Sequence, residues 1–442
     1  MFSQQGLNFR VRLCLSLAVA LIMLLASCLA PPAEAAAVPA DMQGHWAAKQ
    51  VAEWIEAGLV GGFPDGTFRP DQSITRAQFI TMVNAVLGLQ EKAPISYADV
   101  KADDWFAPEI AKAKKSGYIS GYPDNTIRPN NTITRQEIAV ILAGILELDP
   151  NPAGINRFKD SGVVAPWSKD AMGAVTAAGI LSGFPDGTCR PADVATRAQA
   201  VVILSKAAGA MYTEAGLYTL QVVDGNTTIN TGGVTLKAGT IKGSLLLTEG
   251  IGEGSIVLED VTVNGRTVVC GGGSESITFK NCNLGVVVIR KSSGPVRIVA
   301  TGNTNIQKVI VKTEARLENR NNTGRGFSFN NTEILQGAKA TIDGKGPDES
   351  KPQPTTSGGG GGGGSSSPSD SKISFIKTVL ADPVTGGTLV TVFITDSSDA
   401  DRVSKVIVKD QPAIKVAGSA NIWRIHFDGD VAVSDADIKI TT

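Results

Sequence analysis

The chain has 442 residues, enough for several domains, and its 41 basic and 42 acidic side chains leave a formal net charge of −1. That balance lacks the basic excess that is typical of a nucleic-acid-binding protein. The sequence has only two histidines, His45 and His426, which excludes a zinc site with several histidine ligands and makes histidine-based catalysis an unfavoured hypothesis. Abundant glycine, 49 residues, with only 5% aromatic residues favours turn-rich β structure, and we expect no nucleic-acid partner, metal or cofactor.

Residues 1–35 are typical of an export signal. Arg10 and Arg12 precede an apolar run from Leu13 to Ala26, which is short for a membrane span, and the small residues Ala33 and Ala35 suit cleavage. The stretch that ends at Cys28 also resembles a bacterial lipoprotein box, in which Cys28 would carry a lipid. Cleavage after residue 35 is the favoured hypothesis, and lipidation of Cys28 stays open.

Three copies of one unit follow, and they are separated by 59 and then 62 residues. The two intervals hold for five kinds of residue, so the register does not arise by chance. These residues are Trp46, Trp105 and Trp167; Gly62, Gly121 and Gly183; Asp65, Asp124 and Asp186; Pro70, Pro129 and Pro191; and Arg76, Arg135 and Arg197. Each unit predicts a helix, a turn, a short extended piece and a second helix, and we place the repeats at 41–89, 97–148 and 158–210.

The second helix of each unit begins with a shared pattern. Threonine with Gln or Glu three residues later is a capping box, and the three pairs are Thr75 and Gln78, Thr134 and Glu137, and Thr196 and Gln199. The capping box does not explain the arginine that follows each threonine. A cation in the first turn interacts unfavourably with the helix dipole, which costs about 0.3–1 kcal/mol of stability.

Arg76, Arg135 and Arg197 are therefore interpreted as ligand-binding residues whose replacement by alanine leaves the melting temperature unchanged or slightly higher. An arginine beside free helix-start amides makes an anion site. The alternative stays open that each arginine packs its stem, or pairs with an acid of the neighbouring unit.

With their Gly-Phe/Tyr-Pro-Asp turns and Thr-Arg helix starts, the units resemble S-layer homology repeats over about residues 41–210. The resemblance implies a pseudo-threefold bundle whose grooves bind secondary cell-wall polysaccharide, commonly carrying pyruvate ketals. It implies that the three arginines pair with the ketal carboxylate and that the grooves are lined by Gly62, Phe63, Gly121, Tyr122, Gly183 and Phe184. Gln78 and Gln199 depart from the family's Glu, and the third repeat has Ala195 and Cys189 at apolar positions, so we expect any weakened groove to be built mainly from that repeat.

Residues 216–345 alternate short β-branched runs with glycine and asparagine. Two series of runs interleave at a period near twenty, one from Val234–Leu236 to Ala315–Leu317 and one from Leu245–Leu247 to Val309–Val311. The pattern predicts a right-handed parallel β-solenoid and resembles the pectate-lyase-like β-helix. We also predict an asparagine ladder, formed by Asn283, Asn303 and Asn321.

The solenoid raises the question of catalysis. Polysaccharide hydrolases need clustered carboxylates, whereas one predicted corner holds Asp260, Asn281, Thr301 and Asn319, so catalysis is not favoured. The odd count of Cys189, Cys270 and Cys282 after export argues against a disulfide framework. Cys189 is predicted to fill a core position, whereas the sequence leaves open whether Cys270 and Cys282 stack or pair.

A linker rich in glycine, serine and proline, 346–370, precedes a small β-sandwich-like module at 371–442 with five alternating runs. The predicted fold class is thus multidomain: an α-helical three-repeat bundle, a parallel β-solenoid and a small all-β module.

The predicted function is non-covalent anchoring of a secreted cell-surface or S-layer protein to an anionic, pyruvylated wall polysaccharide linked to peptidoglycan. Other S-layer subunits or external glycans are further candidate partners. A wall-anchored polysaccharide lyase or hydrolase that uses the solenoid, and a surface adhesin, are the alternatives.

Overall fold

The computed structural model describes residues 39–274, 277–321, 326–347, 375–381, 388–394, 405–415, 422–427 and 437–441. The predicted export signal with Cys28, and residues 348–370 of the predicted linker, lie outside them. Six α-helices come first in the described chain: α1 (Ala48–Glu56), α2 (Arg76–Leu87), α3 (Ala107–Ser116), α4 (Arg135–Ile145), α5 (Pro166–Ala177) and α6 (Arg197–Ala208). No helix in these ranges is long and apolar enough to cross a membrane.

The described residues divide into two compact units. The smaller unit contains residues 39–73 and 196–205, and the larger contains 74–195 and the described residues from 206 onward. Within the larger unit, one residue from each repeat joins a closed ring of backbone hydrogen bonds. Ile74 N–H donates to Ala195 at 3.0 Å, Ala195 N–H to Ile133 at 2.9 Å, and Ile133 N–H to Ile74 at 3.1 Å. All three are fully buried, so each repeat contributes one core residue to this ring.

After the helices comes a parallel β-solenoid of about six turns. Its strands are β1 (Ala210–Tyr212), β2 (Gly216–Thr219), β3 (Val222–Val223), β4 (Thr227–Ile229), β5 (Val234–Ile241), β6 (Leu245–Leu247), β7 (Ile256–Val269), β8 (Ile277–Lys280), β9 (Asn283–Ile289), β10 (Val296–Gly302), β11 (Asn305–Val311), β12 (Glu314–Asn321), β13 (Thr332–Ile334) and β14 (Lys339–Ile342). One interior column runs Val234, Ile256, Ile277, Ile298 and Leu317 in register, and each of these side chains is fully buried. The β-branched runs form strands because this fold stacks such side chains inside the coil.

The predicted asparagine ladder is wrong in register. Asn283 lies opposite Asn305, which donates from Nδ2 to its Oδ1 at 2.9 Å, and Asn321 lies opposite Gly302. Sequence intervals predict the wrong register here because the turns between strands differ in length from one turn of the solenoid to the next.

The predicted corner needs the same correction. Asp260 (φ 56°), Asn281 (φ 54°) and Gly302 (φ 64°) share a left-handed corner, whereas Thr301 pairs with Lys280 and Asn319 with Ala300. Asn281 Nδ2 donates to Asp260 Oδ1 at 3.0 Å, so the acid of this corner is held by an amide rather than by a second acid.

The three cysteines of the described chain are free thiols, and all are buried. Cys189 is fully buried, as predicted for a core residue, and burial raises its pKa to about 12. Burial also raises the pKa of Cys282 to about 11. Cys270 and Cys282 are therefore unpaired, protonated core residues of the solenoid.

The solenoid caps the C-terminal ends of three helices. Asn230 Nδ2 donates to the carbonyl of Val86 at the end of α2 at 3.1 Å, and Thr228 Oγ1 donates to Ala208 at the end of α6 at 2.7 Å. Arg290 Nη2 donates to Ile145 at the end of α4 at 3.2 Å. These carbonyls have no partner within their own helices, so the solenoid completes the helical repeats.

The C-terminal strands form two antiparallel sheets. Their strands are β15 (Phe375–Ala381), β16 (Thr388–Ile394), β17 (Lys405–Val408), β18 (Gln411–Pro412), β19 (Ile414–Lys415), β20 (Ile422–Phe427) and β21 (Ile438–Thr441). One sheet has the order β15–β16–β20–β19 and the other β18–β17–β21. The small all-β region is thus present, and its described part has seven strands where five runs were predicted, because the two-residue strands β18 and β19 are additional.

Candidate functional site

The Gly-Phe/Tyr-Pro-Asp segment of each repeat is a tight turn. The amide of Phe63 donates to Thr67 at 2.7 Å, and the equivalent bonds of Tyr122 and Phe184 measure 2.8 Å. A Cβ on Gly62 would approach the carbonyl oxygen of Thr67 to 2.9 Å. A Cβ on Gly121 or Gly183 would come equally close to the equivalent carbonyl oxygen of its own turn. Glycine at these predicted groove positions is therefore required by the close approach of the backbone.

A carboxylate fixes the residue that follows each turn in a strained conformation. Arg69, Arg128 and Arg190 have φ angles of 58°, 53° and 48°. Asp41 accepts from the amides of Phe68 and Arg69 at 2.9 and 2.6 Å, and Asp99 and Asp160 hold the other two turns in the same way. This second arginine of each repeat is thereby aimed back at its own turn.

The helix-start arginine of each repeat reaches the turn of the next repeat. Arg76 Nε donates to the carbonyl of Ile127 at 3.0 Å, Arg135 Nε to Cys189 at 2.9 Å, and Arg197 Nε to Phe68 at 2.9 Å. Arg135 Nη2 also donates to Ser182 at 2.8 Å, and Arg197 Nη2 to Gly61 at 3.0 Å. The third repeat thus serves the turn of the first, and the contacts close cyclically.

Two guanidinium groups contact each turn aromatic ring. Around Phe63 the guanidinium carbons of Arg69 and Arg197 lie 4.0 and 4.8 Å from the ring centroid. Tyr122 has Arg128 and Arg76 at 4.0 and 5.0 Å, and Phe184 has Arg190 and Arg135 at 4.0 and 4.7 Å. We call each set of one ring and two arginines an arginine–aromatic cluster. Such stacking holds the cations at fixed positions.

The structure changes the expectation that the helix-start arginines are neutral for stability. Arg76, Arg135 and Arg197 are only 9, 4 and 6% exposed, and their bonds to backbone carbonyls tie neighbouring repeats together. Removing one leaves buried carbonyl oxygens unpaired, at about 1–3 kcal/mol each. The sequence did not indicate these contacts, because the partner carbonyls lie more than fifty residues away in the chain.

The predicted cap residues lie at the helix starts. At α2, Gln78 N–H donates to Thr75 Oγ1 at 3.2 Å and Thr75 N–H donates to Gln78 Oε1 at 3.1 Å, and Thr134 and Glu137 form the same box at α4. At α6, Gln199 N–H donates to Thr196 Oγ1 at 3.2 Å, while Gln199 Oε1 is buried and accepts no hydrogen bond from the residues that the structure describes.

Thr75→Ala is expected to lower the free energy of unfolding by about 0.5–2 kcal/mol, because it removes the acceptor of an unpaired helix-start amide. Chemical denaturation followed by tryptophan fluorescence measures the loss. Thr81→Ala on the same helix is the control, since Thr81 Oγ1 only bonds back to the carbonyl of Ala77 at 3.0 Å. A loss at Thr81 as large as that at Thr75 would contradict the capping role.

Acid is expected to destabilise the helical repeats. The Thr67 hydroxyl and then Arg69 hold the pKa of Asp65 well below its ordinary value, and Thr188 and Arg190 do the same for Asp186. A carboxyl whose folded pKa is depressed contributes stability above its unfolded pKa, and that contribution is lost as pH falls through the folded value. Stability measured from pH 7 downward should hold until about pH 4 and then decline. Asp65→Asn with Asp186→Asn should flatten that decline, and an unchanged slope would contradict the assignment.

The sequence interpretation missed the second arginine of each cluster and the carboxylate that orients it. Arg69, Arg128 and Arg190 recur at the same intervals of 59 and 62 as the other repeat residues, so the signal was present. Asp41, Asp99 and Asp160 recur at intervals of 58 and 61 residues. Each interval is one residue shorter than that of the other repeat positions, so a search at 59 and 62 residues does not find these acids.

Residues 40–80, 96–139 and 157–201 match the family model of the S-layer homology domain. The chain is 31% identical over 161 residues to the Surface-layer 125 kDa protein of Lysinibacillus sphaericus, covering 36% of this chain and 14% of that protein. It is 29% identical over 159 residues to the Cellulosome-anchoring protein of Acetivibrio thermocellus, covering 34% and 35% of the two chains. It is 31% identical over 169 residues to Exoglucanase XynX of the same organism, covering 37% and 16%. The match thus spans well under two thirds of each of these relatives.

Proposed function

We propose that this chain, which carries three S-layer homology repeats followed by a parallel β-solenoid, anchors a surface structure non-covalently to an anionic polysaccharide of the bacterial cell wall. The observation that carries the proposal is the arginine–aromatic cluster, repeated three times. Each cluster holds two cations at fixed distances from one ring. Guanidinium groups recognise carboxylates well, and a pyruvate ketal would place a carboxylate on a sugar.

The names of the relatives support the same class of function. A surface-layer protein and a cellulosome-anchoring protein are among them, and we place this chain at the cell-wall surface on that ground. Several clusters on one chain would bind by avidity, because contacts after the first are intramolecular.

An exoglucanase among the relatives raises the alternative of a wall-attached enzyme. The left-handed corner of the solenoid gives that alternative no support, because Asp260 is followed in its column by Asn281 and Gly302. An acid paired with an amide lacks the second carboxylate that glycoside hydrolysis uses. We propose that the solenoid is a structural or display module.

Sedimentation of the full chain with purified sacculi tests the anchoring function. We expect binding to intact sacculi, loss of binding after the secondary polymer is removed, and loss after mild acid removes ketals but leaves the polymer. The control variant Arg320→Ala changes an arginine of the solenoid that is 65% exposed, and it should bind like the wild type. Equal sedimentation with stripped and intact sacculi would reject the proposal.

A further inference from the structure

One face of the solenoid carries uncharged hydrogen-bonding side chains in register. On β5, β7, β9 and β11 one core residue points inward, so the residue before it points outward. Asn264 on β7 and Gln307 on β11 follow the core residue and are exposed. We call these six outward residues the uncharged face: Thr240, Thr262, Asn283, Asn305, Asn264 and Gln307.

A groove of about 500 Å³ lies beside this face. Residues 148–151, which join the second and third repeats, line one side of it, and Asn264 and Gln307 line the other. Gly285 lies between these two amides, since it is opposite Gln307 on β11 and opposite a β-bulge at 264–265 on β7. Bulges of this kind are common beside binding sites because they redirect a side chain.

The charged side chains at the groove are already paired. Arg266 forms an ion pair with Asp149, and both residues line the groove. Lys308, which follows Gln307, pairs with Glu333 at 2.7 Å.

The amides of the uncharged face keep hydrogen-bonding capacity. Within the part of the chain that the structure describes, the side chains of Asn264 and Gln307 have no protein partner. Asn283 accepts from Asn305 at 2.9 Å through Oδ1, which leaves its Nδ2 group available as a donor. The groove therefore offers donors and acceptors without an unpaired charge, and this chemistry suits a neutral, hydroxyl-rich ligand.

Gly285 occupies a position at which the fold itself does not require glycine. Glycine within a strand weakens it, and it often marks the close approach of a ligand or of another backbone. Another backbone is not the reason here, because a Cβ on Gly285 would lie an ordinary 3.6 Å from the carbonyl oxygen of Gly265. Gly265 is different, since its own Cβ would lie 2.5 Å from the carbonyl oxygen of Gly243. The space above Gly285 is thus open to a ligand.

We propose that this groove binds an uncharged, extended glycan whose hydroxyl groups bond to the uncharged face, with one sugar ring lying against Gly285. Neighbouring parallel strands are about 4.8 Å apart. That spacing is close to the length of one sugar in an extended β-1,4-linked chain, so equivalent contacts can repeat from one turn of the solenoid to the next. The inference adds a binding role to the solenoid and involves none of the arginine–aromatic clusters.

Isothermal titration calorimetry of the full chain tests the proposal with three uncharged β-1,4-linked hexasaccharides, of glucose, mannose and N-acetylglucosamine. We expect at least one to bind at a single site, with an affinity that added salt leaves unchanged because no charges pair. Gly285→Val should weaken this binding by about tenfold or more, because its side chain fills the groove. The melting temperature should stay unchanged or rise, since valine favours strands. Gly285→Ala, which adds only one methyl group, should weaken binding less.

A matched pair of threonine variants separates the uncharged face from the rest of the solenoid. Thr262→Val removes one outward hydroxyl and should weaken binding about two- to tenfold, the net contribution of one hydrogen bond. Thr278→Val makes the same change on β8, whose partners β7 and β10 pair with it away from the groove, and should leave binding unchanged.

Three results would overturn the inference: no binding of any of the three hexasaccharides, unchanged binding in folded Gly285→Val and Gly285→Ala chains, or equal losses at Thr262 and Thr278. A Gly285→Val substitution that alters only self-association, measured by sedimentation equilibrium, would also overturn it and assign the groove to a second copy of the chain. The anchoring function is tested separately by sedimentation with sacculi, so either proposal can fail while the other stands.

Discussion

Replacing Gly173 by alanine is expected to lower the free energy of unfolding of the helical repeats by about 3 kcal/mol, the upper end of the cost of overpacking. Gly173 lies on α5 where that helix meets the short 3₁₀ helix Pro152–Ile155. A Cβ on Gly173 would overlap the carbonyl oxygen of Asn151, and a Cβ on Gly154 would overlap the carbonyl oxygen of Gly173. The obstructing atoms belong to the backbone, so no side-chain rotation relieves the overlap. Urea denaturation followed by tryptophan fluorescence measures the loss, since four of the five tryptophans lie in the repeats.

Gly144→Ala is the matched control. Gly144 is exposed on α4, and no atom lies within 4 Å of the Cβ that alanine would add. Alanine restricts the unfolded chain and favours the helix, so stability should rise by about 0.4–1 kcal/mol. If both substitutions shift the transition in the same direction, the close approach at Gly173 is not what limits that position.

Arg290→Ala should cost about 3–5 kcal/mol, because it leaves buried acids without their cation. Arg290 Nε lies 3.5 Å from Glu147 Oε1, and Nη1 lies 3.9 Å from Glu249 Oε1. The three side chains are only 13 to 15% exposed. The loss also removes the bond from Arg290 to the last turn of α4, so it should appear in the transition of the helices as well as that of the solenoid. Circular dichroism at helix and strand wavelengths follows the two together.

Lys312→Ala tests whether the burial of Arg290 is the cause of the large expected loss of stability. Lys312 Nζ pairs with the same acid, Glu147, at 2.6 Å, but its side chain is 36% exposed. An ion pair in contact with water contributes at most about 1 kcal/mol. A loss at Lys312 that matches the loss at Arg290 would mean that pairing of Glu147, and not burial of Arg290, determines stability.

Much of the fold could be predicted from short-range pattern. Repeated tryptophan, glycine and proline positions gave the three units, and β-branched runs with glycine between them gave the solenoid. Strand register could not be predicted, because the turns that join the strands differ in length. The contacts between solenoid and helix ends were missed for a related reason: Asn230 and Arg290 meet carbonyls that lie more than a hundred residues earlier.

The candidate site was predicted in its residue types but not in its energetics. Helix dipole and cap geometry are local, so they singled out Arg76, Arg135 and Arg197. Their burial depends on the turn of another repeat, which a local pattern does not contain. Cys189 and Ala195, the reason for expecting any weakened groove in the third repeat, are fully buried core residues, and that expectation stays a prediction.

The cyclic contact of each helix-start arginine with the following repeat has a consequence for repeat number. In a linear array, each repeat would supply its arginine to the following repeat, and the first repeat would receive none, so the number of complete clusters would be one less than the number of repeats. In this chain all three clusters are complete, because Arg197 of the third repeat contacts Phe68 and Phe63 of the first. Deleting the second repeat would remove Arg135 and also the turn that receives Arg76. Loss of the second repeat would therefore dismantle two of the three clusters, so the clusters depend on the triplet as a whole.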